Sequence, residues 1–234
     1  MKWQVDLHGD ANDLAELSEI LQSTDFRVLN EGEKYLLEFT SLENSSDHKS
    51  VKAKADELLI NINAARKLLF NSSDLIKRGG IQFIDEDGKK TIFLEPLTAS
   101  IHIRARVQVT VTKKDGTTVE SPPDNKIIKL IRLAQTDERV QRVNELIDHD
   151  FNSFGVLYNI IELVQEDGYA PVKKNGEFYS EIGRFKQTAQ SYDAIGKEAR
   201  HARKKFQKPE NPMELHDAQN LVKTIVRKWM NSKI

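Results

Sequence analysis

SVKAKADELLININAARKLLF, residues 50–70, decides how the first half of the chain is read. Val51, Ala55, Leu58, Ile62, Ala65 and Leu69 recur at alternating steps of four and three, which keeps them on one face of an α-helix. A helix with one dry face has to bury it against another layer. The residues before it supply a sheet. Lys2–His8 alternates Trp3, Val5 and Leu7 with Gln4, Asp6 and His8, the period of a half-buried strand. Gly9-Asp10 turns the chain, and Leu14, Leu17 and Leu21 then return at helical spacing. Phe26-Arg27-Val28 and Tyr35–Phe39 flank Asn30-Glu31-Gly32, a hairpin with glycine where positive φ is wanted. The order β-α-β-β-α follows, with one antiparallel sheet and its helices on one face.

Beyond residue 70 the period changes to two. Residues 81–83 and 91–93 bracket the turn Asp85-Glu86-Asp87-Gly88. Residues 101–111 alternate without a break, with Ile101, Ile103, Ala105, Val107, Val109 and Val111 inward. Asp115-Gly116 makes a two-residue hairpin into Thr117-Thr118-Val119, so this meander should extend the first sheet or stack on it. Ser121-Pro122-Pro123-Asp124-Asn125 ends strand character, because consecutive prolines donate nothing to a ladder. The expected class is α+β: an N-terminal domain over 1–123 and an all-α domain over 124–234.

The second domain reads as a succession of helices. Residues 127–133 form a short one. Thr136 is the expected N-cap of a helix carrying Val140, Val143 and Ile147, with Asp137 and Glu138 near its positive end. Residues 153–166 bury Phe154, Leu157, Tyr158, Ile161 and Val164 and stop at Gly168. Ser180 is the expected cap for Ile182, Phe185 and Ala189. Residues 193–206 place Ile195, Ala199, Ala202 and Phe206 on one stripe, with Lys197, Arg200, His201, Lys204 and Lys205 spread opposite. Asn211-Pro212-Met213-Glu214 then combines a cap, a proline at the first position and an acid, opening a helix with Leu215, Ala218, Val222, Ile225 and Trp229 on one side.

Bulk composition excludes several classes. The 234 residues contain no cysteine, so there is no disulfide framework, thiolate nucleophile or Cys-based zinc site. The first residues carry acid early and have no apolar core, which reads as no signal peptide. No apolar run is long enough for a membrane span. A cytoplasmic protein is expected, with no cofactor and no metal. The formal charge of −1 conceals a polarity. Residues 1–60 carry six Lys/Arg against thirteen Asp/Glu, whereas residues 184–234 carry twelve against five. That asymmetry suits contact between the tail and something anionic, head-to-tail self-association, or neutralisation within the molecule.

No phosphate loop, GxGxxG or GxSxG occurs, so catalytic candidates come from the histidines. His8 and Asp10 flank a strand-to-helix junction and could hold a metal or polarise a water. Arg142 and His149 are separated by six residues, a spacing similar to the Arg-x(4–6)-His pattern of the HEPN ribonucleases, although Val143 follows the arginine. Asp85, Glu86 and Asp87 lack the closing acid of a calcium loop. The basic stretch gives the best candidate surface. Residues 185–193 followed by the 193–206 helix read as helix-turn-helix, with Lys197, Arg200, Lys204, Lys205 and His201 toward phosphates and Gln187 beside them. His102, Arg104 and Arg106 line one outward strand face beside Gln108 and give a second anion-binding surface or a solvated sheet.

Asp193-Ala-Ile-Gly-Lys-Glu-Ala-Arg-His-Ala-Arg203, then Pro209, Asn211-Pro-Met-Glu-Leu215 and Val226-Arg-Lys-Trp229 make a tail that resembles one found in uncharacterised bacterial proteins of unknown function. The resemblance covers about the last fifty residues and implies a bacterial source and a self-standing helical module. It brings no activity with it. The preferred reading is a non-catalytic interaction or regulatory protein whose basic tail meets an anionic partner: nucleic acid, an acidic protein surface, or the acidic half of a second copy. The rival is a small nuclease or hydrolase using Arg142 with His149, or His8 with Asp10.

Overall fold

A computed structural model describes residues 2–32, 34–40, 45, 47–70, 72, 74–94, 126–200 and 207–234. The protein is α+β. A five-stranded antiparallel sheet is built in β-α-β-β-α-β-β order and is followed by helices. The described elements are β1 (Lys2–His8), α1 (Ala11–Ile20), β2 (Phe26–Asn30), β3 (Tyr35–Phe39), α2 (His48–Phe70), β4 (Lys77–Ile84), β5 (Lys90–Phe93), α3 (Lys126–Thr136), α4 (Glu138–Asp150), α5 (Phe154–Glu166), α6 (Tyr179–Gln190), α7 (Tyr192–Ile195) and α8 (Leu215–Asn231). The chain divides into two compact units, residues 1–63 with 72–128 and residues 64–71 with 129–234. The strand expected at 101–111, the hairpin at 115–116, the prolines at 122–123 and the expected division at 123/124 lie outside the described residues.

In the first unit the strands lie in the order β2-β3-β1-β4-β5, every neighbour antiparallel. Register explains why one face is dry. Val28 faces Leu37, Leu37 faces Val5, Val5 faces Ile81, and Ile81 faces Phe93, so an apolar row crosses all five strands. Leu14 and Leu17 of α1 and Val51, Ala55, Leu58 and Ile62 of α2 are buried with it, the residues the helical period selects. The opposite face is polar. There Glu38 accepts from Lys2 Nζ at 2.9 Å, Gln4 Nε2 at 2.7 Å, and Arg27 Nε and Nη2 at 2.9 and 2.7 Å. Burial alone would raise its pKa, but these donors hold the carboxyl below the ordinary glutamate range.

In the second unit α4, α5, α6 and α8 bury Val140, Val143, Ile147, Leu157, Ile161, Phe185, Val222, Ile225 and Trp229. The last two turns of α2, from Ala64, belong here, and Lys67 Nζ donates to the C-terminal carbonyls of α4 at Ile147 (2.8 Å) and Asp148 (3.0 Å). Lys233 ties two further helix ends together. Its Nζ lies 2.7 Å from both Asp137, the cap of α4, and Asp167, just past α5. Burial alone would raise both aspartates, but the bonds from Lys233 keep their pKa values below the usual range; Trp229 adds another at Asp167.

Several helix boundaries differ from expectation, each for a local reason. Asp137 rather than Thr136 caps α4: its carboxylate accepts from Arg139 N and Val140 N, while the Thr136 hydroxyl bonds back to the carbonyls of Arg132 and Leu133 as the last residue of α3. Helix α6 begins after Phe178, so Ser180 lies inside its first turn. Asn211 and Pro212 do not open α8, whose cap is Glu214. Met213 N donates to Thr188 Oγ1 at 3.0 Å, and Met213 is buried, so the chain stays pinned against α6 until it has passed. Among the described residues no helix is long and apolar enough to cross a membrane.

Candidate functional site

The basic stretch does not form the continuous helix its period predicts. Helix α7 stops after four residues at Ile195. Gly196 adopts φ 61 and ψ −130, a conformation that side-chain-bearing residues avoid, and Ala199 is already extended at φ −62 and ψ 134. The helix-turn-helix reading therefore fails over 193–200. Lys197 sits exposed on a short 3-10 turn. His201, Lys204 and Lys205 lie outside the described residues, as do Arg104, Arg106, His102 and Gln108.

Arg200 is in a different setting from the one expected. Its backbone N donates to Ala189 O at 2.9 Å, which lays residue 200 beside the end of α6. The guanidinium stacks over the Tyr158 ring, Cζ 4.2 Å from the centroid, and one N–H reaches Glu162 Oε2 at 3.1 Å. That bond raises the guanidinium pKa. Lys186 approaches the same ring, Nζ 5.1 Å from the centroid, and donates to Gln165 Oε1 at 2.6 Å. Burial lowers its pKa, against a contribution from Glu162. Gln190 Nε2 donates to the Tyr158 hydroxyl at 2.7 Å. Two cations thus lean on one tyrosine, with one carboxylate between them. Sequence reading missed Tyr158, Glu162, Gln165 and Lys186 as members of this group.

The two histidine pairs have separate fates. Asp10 is the N-cap of α1, its Oδ1 accepting from Asn12 N at 2.9 Å and Asp13 N at 3.2 Å. His8, at the end of β1, lies across the backbone of β4; a Cβ at Gly79 would collide with His8 Nε2. Both residues have structural employment. Arg142 and His149 share an exposed face of α4, seven residues or about 10.5 Å apart along the axis. They line a hollow of about 490 Å³ with Glu145, Leu146 and Leu163. Arg142 is paired with Glu138 at 2.6 Å, and its side chain remains 59% exposed.

No known family model matches the chain. No solved structure matches it. A methylthioribose-1-phosphate isomerase of Verticillium alfalfae is similar to it, 32% identical over 129 residues that take in 53% of this chain and 31% of the isomerase. The chain therefore spans about a third of the length of that curated relative.

Proposed function

We propose that this is a bacterial cytoplasmic protein without catalytic activity, made of an α+β unit and a helical unit, the second of which meets an anionic partner. One observation supports the reading above the others. None of the described Lys and Arg residues of 184–234 is fully buried, so the cationic excess of that stretch lies at or near the surface. The resemblance of the tail to uncharacterised bacterial proteins is the ground for the source. The test is binding of a fluorescein-labelled 20-nucleotide RNA, followed by polarisation between 50 and 200 mM salt. Four phosphate contacts predict a loss of affinity of about fiftyfold across that range. A flat salt response, or none of the RNA bound, counts against a nucleic-acid partner. Methylthioribose 1-phosphate, named by the fungal relative, is a small anion to offer in the same assay.

A second reading keeps a nuclease at α4, because Arg142 and His149 line one hollow. It expects the purified protein to cleave RNA, with at least a hundredfold loss on Arg142→Ala or His149→Ala, the scale of removing a general acid or base. Intact RNA after prolonged incubation with the unsubstituted protein ends that reading.

A further inference from the structure

The group around Tyr158 holds more than a surface ion pair. Arg200 and Lys186 come from residues fourteen apart in sequence, yet both lean on one ring. Lys186 is half-buried, and its ammonium donates to a neutral amide, Gln165. Glu162 is the carboxylate shared by both cations: it bonds Arg200 directly and acts on Lys186 through space. It engages the guanidinium through one N–H at 3.1 Å, short of the two-pronged geometry that makes such pairs strong. With the two side chains 36% and 39% exposed, the pair is weak and open to exchange.

We propose that Arg200 and Lys186, held on the Tyr158 ring, form a seat for a phosphodiester group of nucleic acid, and that Glu162 fills the seat when nucleic acid is absent. The inference rests on the anionic-partner reading above and names the partner and its point of contact. Phosphate is favoured over a protein carboxylate because a carboxylate would replace Glu162 by its own kind, with nothing gained. A guanidinium fork fits two phosphate oxygens, and a polymer adds counterion release. The sequence after Arg200 continues with His201, Arg203, Lys204, Lys205 and Lys208, a succession of charges suited to a repeating polyanion. Because Arg200 already covers the ring, the seat reads phosphate and not base, so binding is indifferent to sequence.

The experiment uses the full chain and the labelled 20-nucleotide RNA. Glu162→Gln removes the internal competitor and should tighten binding by about threefold to tenfold, the strength of an exposed pair plus one unit of charge. Glu181→Gln makes the same charge change at an exposed position in the first turn of α6, away from Arg200, and should shift affinity less than twofold. In an Arg200→Ala background the gain from Glu162→Gln should vanish. A Glu162→Gln protein that binds no tighter, an equal gain from Glu181→Gln, or a gain that survives Arg200→Ala overturns the seat; if the unsubstituted protein still binds with a steep salt response, the broader reading survives. No binding by either the unsubstituted protein or Glu162→Gln removes the seat and the nucleic-acid partner together. Circular dichroism on each variant confirms that the helices remain.

Discussion

Trp229→Ala should destabilise the helical unit by about 3–5 kcal/mol, the range for truncating a fully buried large aromatic. Trp229 is 1% exposed and heads the fully buried side chains by size. Three effects combine there. The indole packs on the apolar face of α8 with Val222, Ile225 and Val226, so its removal opens a cavity the bundle cannot close. Its Nε1 donates to Asp167 Oδ2 at 2.8 Å, and that carboxylate also takes Lys233 and Arg139. The ring is the surface over which Lys233 Nζ sits, 5.0 Å from the centroid. Trp229→Phe separates these effects. It keeps much of the volume and loses the indole donor, so about 1–2 kcal/mol is expected. Urea unfolding followed by circular dichroism measures both, and Trp3, the second tryptophan, reports on the sheet unit by fluorescence. A loss below 1 kcal/mol for Trp229→Ala would mean that α8 does not dock through this face.

Elements whose pattern is periodic and closed by local chemistry were legible in the sequence. Residues 50–70 fall in α2 because six apolar residues repeat over more than five turns, too long for another period to imitate. The β2–β3 and β4–β5 hairpins follow from alternation on either side of a glycine turn. Boundaries were less legible, because capping is a contest that tertiary contacts decide. Asn211 and Pro212 have the right chemistry for a helix start, yet Met213 is held by Thr188, twenty-five residues away, and no local pattern records that. The basic stretch failed for a related reason. Its apolar stripe is genuine in period, but Gly196 is the weakest helix former in it, and the bond from Arg200 N to Ala189 O favours a turn back along α6. The candidate seat was the least legible part. Tyr158 reads as one more buried position of α5, Glu162 and Lys186 read as solvated charges, and Arg200 reads as one cation of a helix face turned toward phosphates. Only packing of α5, α6 and the segment after α7 brings them to one ring.

The sheet unit depends on a polar clasp that a pattern reading would score as a defect in a helix. Asn63 lies in α2 and is 4% exposed. Its Nδ2 donates to Ile76 O at 3.0 Å, and its Oδ1 accepts from Ile76 N at 2.9 Å. Both backbone groups of Ile76 are thereby satisfied one residue before β4 begins, where no strand partner is available to them. Asn63→Leu preserves size and adds apolar area, yet should cost about 2–5 kcal/mol, because two buried backbone groups lose their partners at about 1–3 kcal/mol each. Ile76→Val is the control for packing alone: Ile76 is 2% exposed, and removal of one methylene should cost about 0.5–1.5 kcal/mol. The clasp also has a positional effect. Strand β4 enters opposite His8 and Leu7 and shifts register between Leu7 and Val5, so its starting point is set by where residue 76 is held. Faster hydrogen exchange at Arg78 and Gly79 in Asn63→Leu, with β2–β3 amides unchanged, is the expected signature of a loosened start. Equal losses for Asn63→Leu and Ile76→Val would show that packing holds this junction and that the paired hydrogen bonds contribute nothing beyond it.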